Sequence, residues 1–225
     1  MKTSWRVELP QLAVVAGLFL WSAVLWPTAP EQLPVHFDVA GNVDRYGGKA
    51  EGLLLMPAIA LGLYLLLRFL PAIDPARANY PAFAGAYGVI RLTAVVVMAL
   101  IDAALLLPVM GVPLNAGVAV RLAVGGLFVV FGSVMGKLRP NWFVGIRTPW
   151  TLASKRSWVQ THRLGGWVFV VSGLVLMGSG AFASPLAAVV AFTVMGAGVL
   201  WTVVYSYLAF RDDPERFPAV STRPE

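Results

Sequence analysis

Long apolar stretches alternate with short polar segments along the whole chain. A helix needs about 20 residues to cross a hydrocarbon core of roughly 30 Å. Six stretches are candidates for such spans: Leu12–Trp26, Leu53–Leu70, Tyr87–Leu107, Ala116–Met135, Gly166–Phe182 and Leu186–Ala209. The first of them is the shortest. Backbone groups in lipid must be bonded within their own segment, and the alternation of barrel strands is absent. We therefore expect an all-α polytopic membrane bundle with about six transmembrane helices.

The positions of Lys and Arg predict how this bundle is oriented. Basic residues precede the first span, flank the second loop, crowd the fourth loop and follow the last span, whereas the third and fifth loops have none. This pattern places both termini in the cytoplasm. We predict one integral membrane domain over residues 1–225, with an external loop at 27–51, a cytoplasmic loop at 136–165 and a cytoplasmic tail at 210–225.

Composition supports a membrane protein and excludes several other classes. Of the 225 residues, 58% are hydrophobic and 12% are charged, which is more apolar surface than a soluble domain of this size can bury. The chain has no cysteine, so disulfides, thiolate metal sites and cysteine nucleophiles are excluded. The formal charge of +6 follows the topology and forms no contiguous soluble face, so we expect no direct nucleic-acid binding.

The external loop predicts a small β-hairpin. Apolar and polar residues alternate over 35–38, residues 40–42 are typical of a turn, and residues 43–46 can form a returning strand. The polar side chains with candidate binding roles are His36, Asp38, Asp44 and Lys49. Three interpretations stay open: hydrogen bonding within the hairpin, contact with a peptide or other ligand, and a cation held by the histidine and the two aspartates.

The cytoplasmic loop has the densest polar sequence of the chain. Pro149 prevents one continuous helix through it, Ser154 is a suitable N-cap, and a short helix can run over 155–164. The candidate binding residues are Arg147, Thr148, Trp150, Thr151, Trp158, His162 and Arg163. Tryptophans and basic residues are typical of a membrane interface, so the loop is either an interfacial anchor or a binding and signalling surface.

Catalysis is a third interpretation of this loop. Arg147, His162 and Arg163 can surround an anionic group, but no neighbouring acid supplies a general base. In the predicted topology His36 and His162 lie on opposite sides of the membrane and cannot share a metal. We therefore expect a protein that is not an enzyme and that carries no metal or other cofactor.

Two charged residues fall inside predicted spans. Asp102 lies about five residues from the outer end of the third span, and Arg121 lies at a similar depth in the fourth. A tight turn makes these spans neighbours, so we predict an Asp102–Arg121 ion pair, either structural or part of a substrate path. Arg91, near the inner end of the third span, is expected to extend toward the headgroups.

Both polar loops resemble a known family. Pro34-Val35-His36-Phe37, followed by Gly41, Asp44, Gly47 and Lys49, resembles the N-terminal DUF1648 membrane segment. The run from Gly145 to Leu152, followed by Trp158, Thr161-His162-Arg163 and Gly165, resembles the signature of the SdpI family. The second motif is long and specific, and the resemblance covers about residues 27–205.

The resemblance implies a multi-pass protein of the bacterial plasma membrane. The family is named for an immunity protein against a secreted toxic peptide, which also draws a small autorepressor to the membrane. By resemblance, we expect the external loop to contact such a peptide and the cytoplasmic loop to engage a repressor, with membrane lipids as further partners. The alternative is a small-molecule or lipid transporter, suggested by the Asp102–Arg121 pair and the basic, Trp-rich loop.

Overall fold

A computed structural model describes residues 5–38, 42–181 and 184–216 of the chain. Within these ranges the protein is a bundle of long helices with a two-stranded hairpin at one end. In chain order, its elements are α1 (Trp5–Leu25), β1 (Gln32–Phe37), β2 (Val43–Gly48), α2 (Lys49–Ile73), a 3₁₀ segment (Arg77–Phe83), α3 (Ala84–Leu106), α4 (Ala116–Met135), α5 (Pro149–Ala153), α6 (Lys155–Ala181) and α7 (Pro185–Arg211).

Six helical stretches among the described residues are long and apolar enough to span a membrane, which confirms the predicted bundle. The helix bounds differ most from the predicted spans at the starts of α1 and α6. The first helix begins at Trp5 rather than Leu12, and α6 begins at Lys155 rather than Gly166. In both cases the apolar pattern omitted polar residues that the helix includes. The bundle buries some of these residues, such as Glu8 in α1 and His162 in α6, whereas the basic residues Arg6, Lys155, Arg156 and Arg163 are exposed.

Glycine contacts bring α4 and α6 together. Gly125 and Gly132 on α4 face Gly173 and Gly166 on α6, and a Cβ atom at any of these positions would collide with the backbone of the other helix. Small residues allow such close approach between helices in lipid, where van der Waals packing replaces the hydrophobic effect as the main attraction. The two helices therefore form one rigid pair.

The predicted hairpin is present as an antiparallel pair of β1 and β2. Of residues 40–42, which the sequence predicted as the turn, 40 and 41 lie outside the described ranges. Leu33 of β1 is 1% exposed and packs with Leu53 of α2 and Leu106 of α3. This contact fixes the hairpin to the end of the bundle where α2 begins and α3 ends. We call it the hairpin end, and we call the opposite end, which includes residues 136–165, the loop end.

A buried ion cluster joins the first three membrane-spanning helices. Glu8 of α1 accepts two hydrogen bonds from the guanidinium of Arg91 on α3, each 2.9 Å long. The Tyr64 hydroxyl of α2 donates to Glu8 at 2.8 Å, and Arg68 Nε lies 3.5 Å from the same carboxylate. Arg91 is 1% exposed, so the expectation that it extends to the headgroups was wrong. A bidentate carboxylate partner makes burial of its charge tolerable.

The predicted Asp102–Arg121 ion pair is not formed. Both side chains are buried, but neither makes a hydrogen bond or ion pair within the described ranges, and Asp102 Oδ1 and Arg121 Nε have no partner. Equal depth on neighbouring helices does not determine how each helix is rotated about its own axis. Asp102 faces a pocket between α3 and α1 and is therefore turned away from α4.

We predict that Glu8→Gln destabilises the protein by about 3–5 kcal/mol, because the substitution leaves the Arg91 charge buried without a counter-charge. Thermal unfolding of the purified protein in nanodiscs measures the loss. The double variant Glu8→Gln/Arg91→Met should be more stable than Glu8→Gln alone, because it contains no buried cation at this place.

Glu31→Gln is the matched control for this prediction. Glu31 pairs with Lys49 at 3.3 Å, but its side chain is 90% exposed, so its loss should change stability by less than about 1 kcal/mol. Equal stability of the Glu8→Gln protein and the wild type would contradict the role assigned to the buried cluster.

Candidate functional site: the loop end of the bundle

Asn141 organises the irregular segment that follows α4. Its side chain is 1% exposed. Its Oδ1 accepts hydrogen bonds from the backbone N–H groups of Phe143 (3.0 Å) and Val144 (2.6 Å). Its Nδ2 donates to the carbonyl groups of Arg139 (2.9 Å) and Val144 (3.0 Å). One side chain thus satisfies four backbone groups that have no helix or strand to bond them. Sequence reasoning missed this role, and only the turn-favouring pair Pro140-Asn141 indicated it.

His162 attaches this segment to α6. Its Nε2 accepts a hydrogen bond from the backbone N–H of Ile146 (3.0 Å), and its Nδ1 donates to the Trp158 carbonyl (2.8 Å). These two bonds describe a neutral imidazole with its proton on Nδ1. Gly145 has φ of +110°, and a Cβ atom there would collide with the His162 ring, so the position requires glycine. Both ring nitrogens of His162 are engaged in these bonds, so neither can bind the anionic group that the sequence analysis considered.

Trp158 is part of the core at the loop end. The sequence suggested a membrane-interface tryptophan, but the residue is fully buried and packs in a cluster that includes Tyr80. Its indole Nε1 donates to the Leu138 carbonyl at 3.1 Å, which supplies the partner that interfacial water would otherwise provide. Trp142 and Trp167, by contrast, are 54% and 72% exposed, as expected for interfacial residues.

Thr148 and Thr151 form a reciprocal cap at the start of α5. The Thr148 N–H donates to Thr151 Oγ1 at 2.9 Å, and the Thr151 N–H donates to Thr148 Oγ1 at 3.2 Å. Pro149 occupies the first turn of α5, where its missing N–H has no consequence. Because α5 begins at this residue, no continuous helix runs through the loop, as predicted. The Thr148 and Ser206 hydroxyls lie 2.9 Å apart, which connects the loop to α7.

Ser154 caps α6 and connects it to the chain that follows α7. Its hydroxyl accepts a hydrogen bond from the Ser157 N–H at 2.9 Å, which agrees with the predicted N-cap. The same hydroxyl donates to the carboxylate of Asp213, and this bond holds the pKa of Asp213 below its usual value. Part of the predicted tail, which the sequence assigned no role, is therefore built into the site.

Asp74 connects the segment between α2 and α3 to the loop. Its carboxylate is 1% exposed and accepts hydrogen bonds from the Tyr80 hydroxyl (2.9 Å), the Ala76 N–H (2.7 Å) and the Trp142 N–H (3.1 Å). Arg147 in turn donates to the Trp142 carbonyl at 2.7 Å. These bonds join the segment between α2 and α3 to the loop, so this segment is part of the site.

The predicted binding residues of this loop divide into two groups. The buried ones, which form the base of the site, are Thr148, Thr151, Trp158 and His162. Arg147 and Arg163 are exposed, and Trp150 is half-buried with its ring centroid 5.2 Å from that of Tyr207. Only the second group is placed to contact a partner directly.

Six basic residues of the loop are exposed. They are Lys137, Arg139, Arg147, Lys155, Arg156 and Arg163. The acidic residues Asp74 and Asp213 are buried and occupied by the bonds described above, whereas Asp212, which pairs with Arg211, and Glu215 are exposed after α7. Because the exposed basic residues outnumber these two acids, the loop end presents net positive charge, which favours a partner or headgroup with negative charge.

The hairpin end presents a second, mixed polar surface. His36 Nδ1 and Asp44 Oδ1 lie 2.6 Å apart, with 63% and 45% of their side chains exposed. Asp38 instead accepts two hydrogen bonds from Asn42, and Lys49 pairs with Glu31. His36 and Asp44 are therefore paired, but Asp38 does not join them in one three-residue group. Within the described ranges, no group of three or more His, Asp or Glu side chains can hold a metal ion.

We predict that Asn141→Ala unfolds the loop locally. Buried backbone groups left without a partner cost about 1–3 kcal/mol each, so amide hydrogen exchange at Phe143 and Val144 should accelerate by at least about tenfold. Asn42→Ala at the hairpin end, which removes the exposed hydrogen bond from the Asn42 side-chain amide to Asp38, is the control and should leave exchange at residues 142–146 unchanged. Unaltered exchange in Asn141→Ala would show that other contacts hold the loop.

Comparisons with known proteins match both halves of the chain. Residues 137–206, which include the loop end and its contact at Ser206, match the SdpI/YfhL protein family. Residues 13–61, which include the hairpin, match a domain of unknown function, DUF1648. Over 172 residues the chain is 23% identical to a protein named Immunity protein SdpI from Bacillus subtilis (strain 168), which covers 76% of this chain and 80% of that protein.

Two shorter matches have no assigned function. The chain is 38% identical over 87 residues to an uncharacterized protein of Archaeoglobus fulgidus, which covers 36% of this chain and 47% of that protein. It is also 38% identical over 47 residues to the uncharacterized membrane protein YbgB of Bacillus subtilis, covering 21% and 50%. No solved structure matches the chain. The two family matches, the SdpI relative and the six membrane-spanning helices agree: this multi-pass membrane protein is similar to the SdpI family, whose model it matches over residues 137–206.

Proposed function

We propose that this protein protects a bacterial cell from a secreted toxic peptide and reports the peptide to the cytoplasm. In this proposal the hairpin end faces outward and contacts the peptide, and the loop end faces the cytoplasm and engages a soluble repressor. The observation that carries the proposal is the presence of two different polar surfaces at opposite ends of one six-helix bundle. The relative named as an immunity protein aligns with most of the chain and supports it.

The hairpin end has the features of a peptide-contacting surface. The His36–Asp44 pair is exposed, and Tyr46 on the neighbouring strand is 59% exposed. An aromatic ring and hydrogen-bonding groups on one small sheet are suited to recognise a peptide. Leu33 anchors this sheet in the bundle, so a peptide at the hairpin would press directly on α2 and α3.

The loop end has the features of a docking surface for a soluble partner. Its base is held by the bonds of Asn141, His162 and Asp74, so the exposed arginines are presented from an ordered frame. Ordered charges lose less entropy on binding than mobile ones. A repressor with an acidic face fits this surface by charge. The distribution of Lys and Arg also supports a cytoplasmic position for this end. We further propose that the protein is not an enzyme, because both nitrogens of His162 are engaged in the frame.

Protection of a sensitive bacterium tests this function. Cells that express the wild type should survive secreted, membrane-active bacterial peptides better than cells without it. His36→Ala should reduce protection by removing the exposed pair, and Arg147→Ala should reduce recruitment of a repressor more than protection. Survival and membrane recruitment of a labelled repressor are measured at matched protein levels.

Thr193→Ala is the control for both variants, because the side chain of this exposed α7 residue bonds just the carbonyl of Val189 among the described residues. Wild-type cells as sensitive as empty cells across the peptide panel would refute the immunity function. Equal protection by all variants would refute the assignment to the hairpin end.

Lipid handling is a second candidate function, favoured by a groove beside the loop. The groove has a volume of about 660 Å³, within the range of roughly 300–1,000 Å³ that is typical of ligand pockets. Its walls are almost entirely apolar and include Leu66, Phe131 and Ile146, with Arg147 at the edge. A site of this kind suits an acyl chain with an anionic headgroup. Purified protein in liposomes that moves no labelled phospholipid and shows no headgroup preference would exclude this function.

A further inference from the structure

A second pocket lies between α1 and α3, toward the hairpin end. Its volume is about 330 Å³, and its lining includes Gly17 and Trp21 of α1 and Ala99, Asp102 and Ala103 of α3. Asp102 precedes the last residue of α3, Leu106, by four positions, which places it about 6 Å from the end of the helix. The pocket is therefore within the membrane-spanning part of the bundle.

The carboxyl group of Asp102 is the polar feature of this pocket. The side chain is 2% exposed, and it makes no hydrogen bond or ion pair with any described residue. In the part of the chain that the structure describes, no basic residue lines the pocket, and Arg121, on α4, does not reach it. Burying a carboxyl group without a hydrogen-bond partner costs free energy. Its presence at this depth therefore indicates that a bound molecule supplies a hydrogen-bond donor to Asp102.

The surroundings of Asp102 define the donor that fits. Ala99 and Ala103 contribute only small side chains to the lining beside the carboxyl, and a Cβ atom added at Gly17 would meet nothing within 4 Å. Trp21 adds an indole ring that is 38% exposed. An apolar pocket with a carboxyl and an indole suits an ammonium group. The ammonium donates hydrogen bonds to the carboxyl and is attracted to the face of the indole ring.

We propose that this pocket binds the ammonium group of an aliphatic amine that enters from the bilayer. Asp102 accepts hydrogen bonds from the ammonium, Trp21 borders the charge, and the aliphatic chain lies along the apolar wall between α1 and α3. The apolar lining and the depth of the pocket require a molecule that partitions into the membrane. This site does not depend on the toxic peptide or on either end of the bundle.

Binding of tritiated octylamine to purified protein tests the proposal, with scintillation proximity as the readout. Unlabelled octylamine should displace the signal, whereas octanol, which has the same chain and no charge, should not. Asp102→Asn keeps the shape of the side chain and removes its charge, so it should weaken binding by about tenfold or more. Gly17→Leu fills the pocket while keeping Asp102, and it should abolish binding.

Gly62→Leu is the matched control, because a Cβ atom at this α2 glycine also meets nothing within 4 Å and the residue does not line the pocket. This variant should bind octylamine as the wild type does. Equal displacement by octanol, or wild-type binding by folded Gly17→Leu, would overturn the proposal even if Asp102→Asn failed to fold. Because octylamine binding is measured without cells or toxin, its failure is distinct from failure of the immunity function.

Discussion

The bidentate contact between Glu8 and Arg91 is the interaction on which the first half of the bundle depends. Lipid offers no water to solvate a charge, so a buried arginine is tolerated only when the protein supplies its partner. Glu8 does so from α1, and Tyr64 and Arg68 add contacts from α2. One carboxylate thereby fixes the relative positions of three helices, including the two between which the Asp102 pocket lies.

Buried polar groups at the loop end also need partners from the protein, and there neutral hydrogen bonds supply them. The segment after α4 has no helix or strand to bond its backbone, so Asn141 and His162 satisfy it from their side chains. This explains why the polar signature residues Thr148, Thr151 and His162 are buried. They hold the frame, and the exposed basic residues of the loop, Arg147 and Arg163 among them, are the part that a partner can reach.

The sequence could predict much of the fold because the signals were local. Six apolar stretches, the hairpin, the break at Pro149 and the cap at Ser154 each depend on residues near one another in the chain. The site was predicted less completely. Asp74 and Asp213 were missed because their bonds to Trp142 and Ser154 join segments distant in sequence. Asn141 was missed although its bonds are local, because a single polar residue in an irregular segment gives no pattern that indicates which backbone groups it bonds.

The sequence by itself determined that this protein spans a membrane six times and which two segments carry its polar chemistry, since apolar length and charge bias are properties of each segment alone. Only the tertiary structure decided which charges are paired. Asp102 and Arg121 are at similar depth, but the rotation of their helices keeps the two side chains from pairing. Arg91 instead pairs with Glu8, which lies 83 residues earlier in the chain. Rotation is set by packing against every neighbouring helix at once, and no segment contains that information on its own.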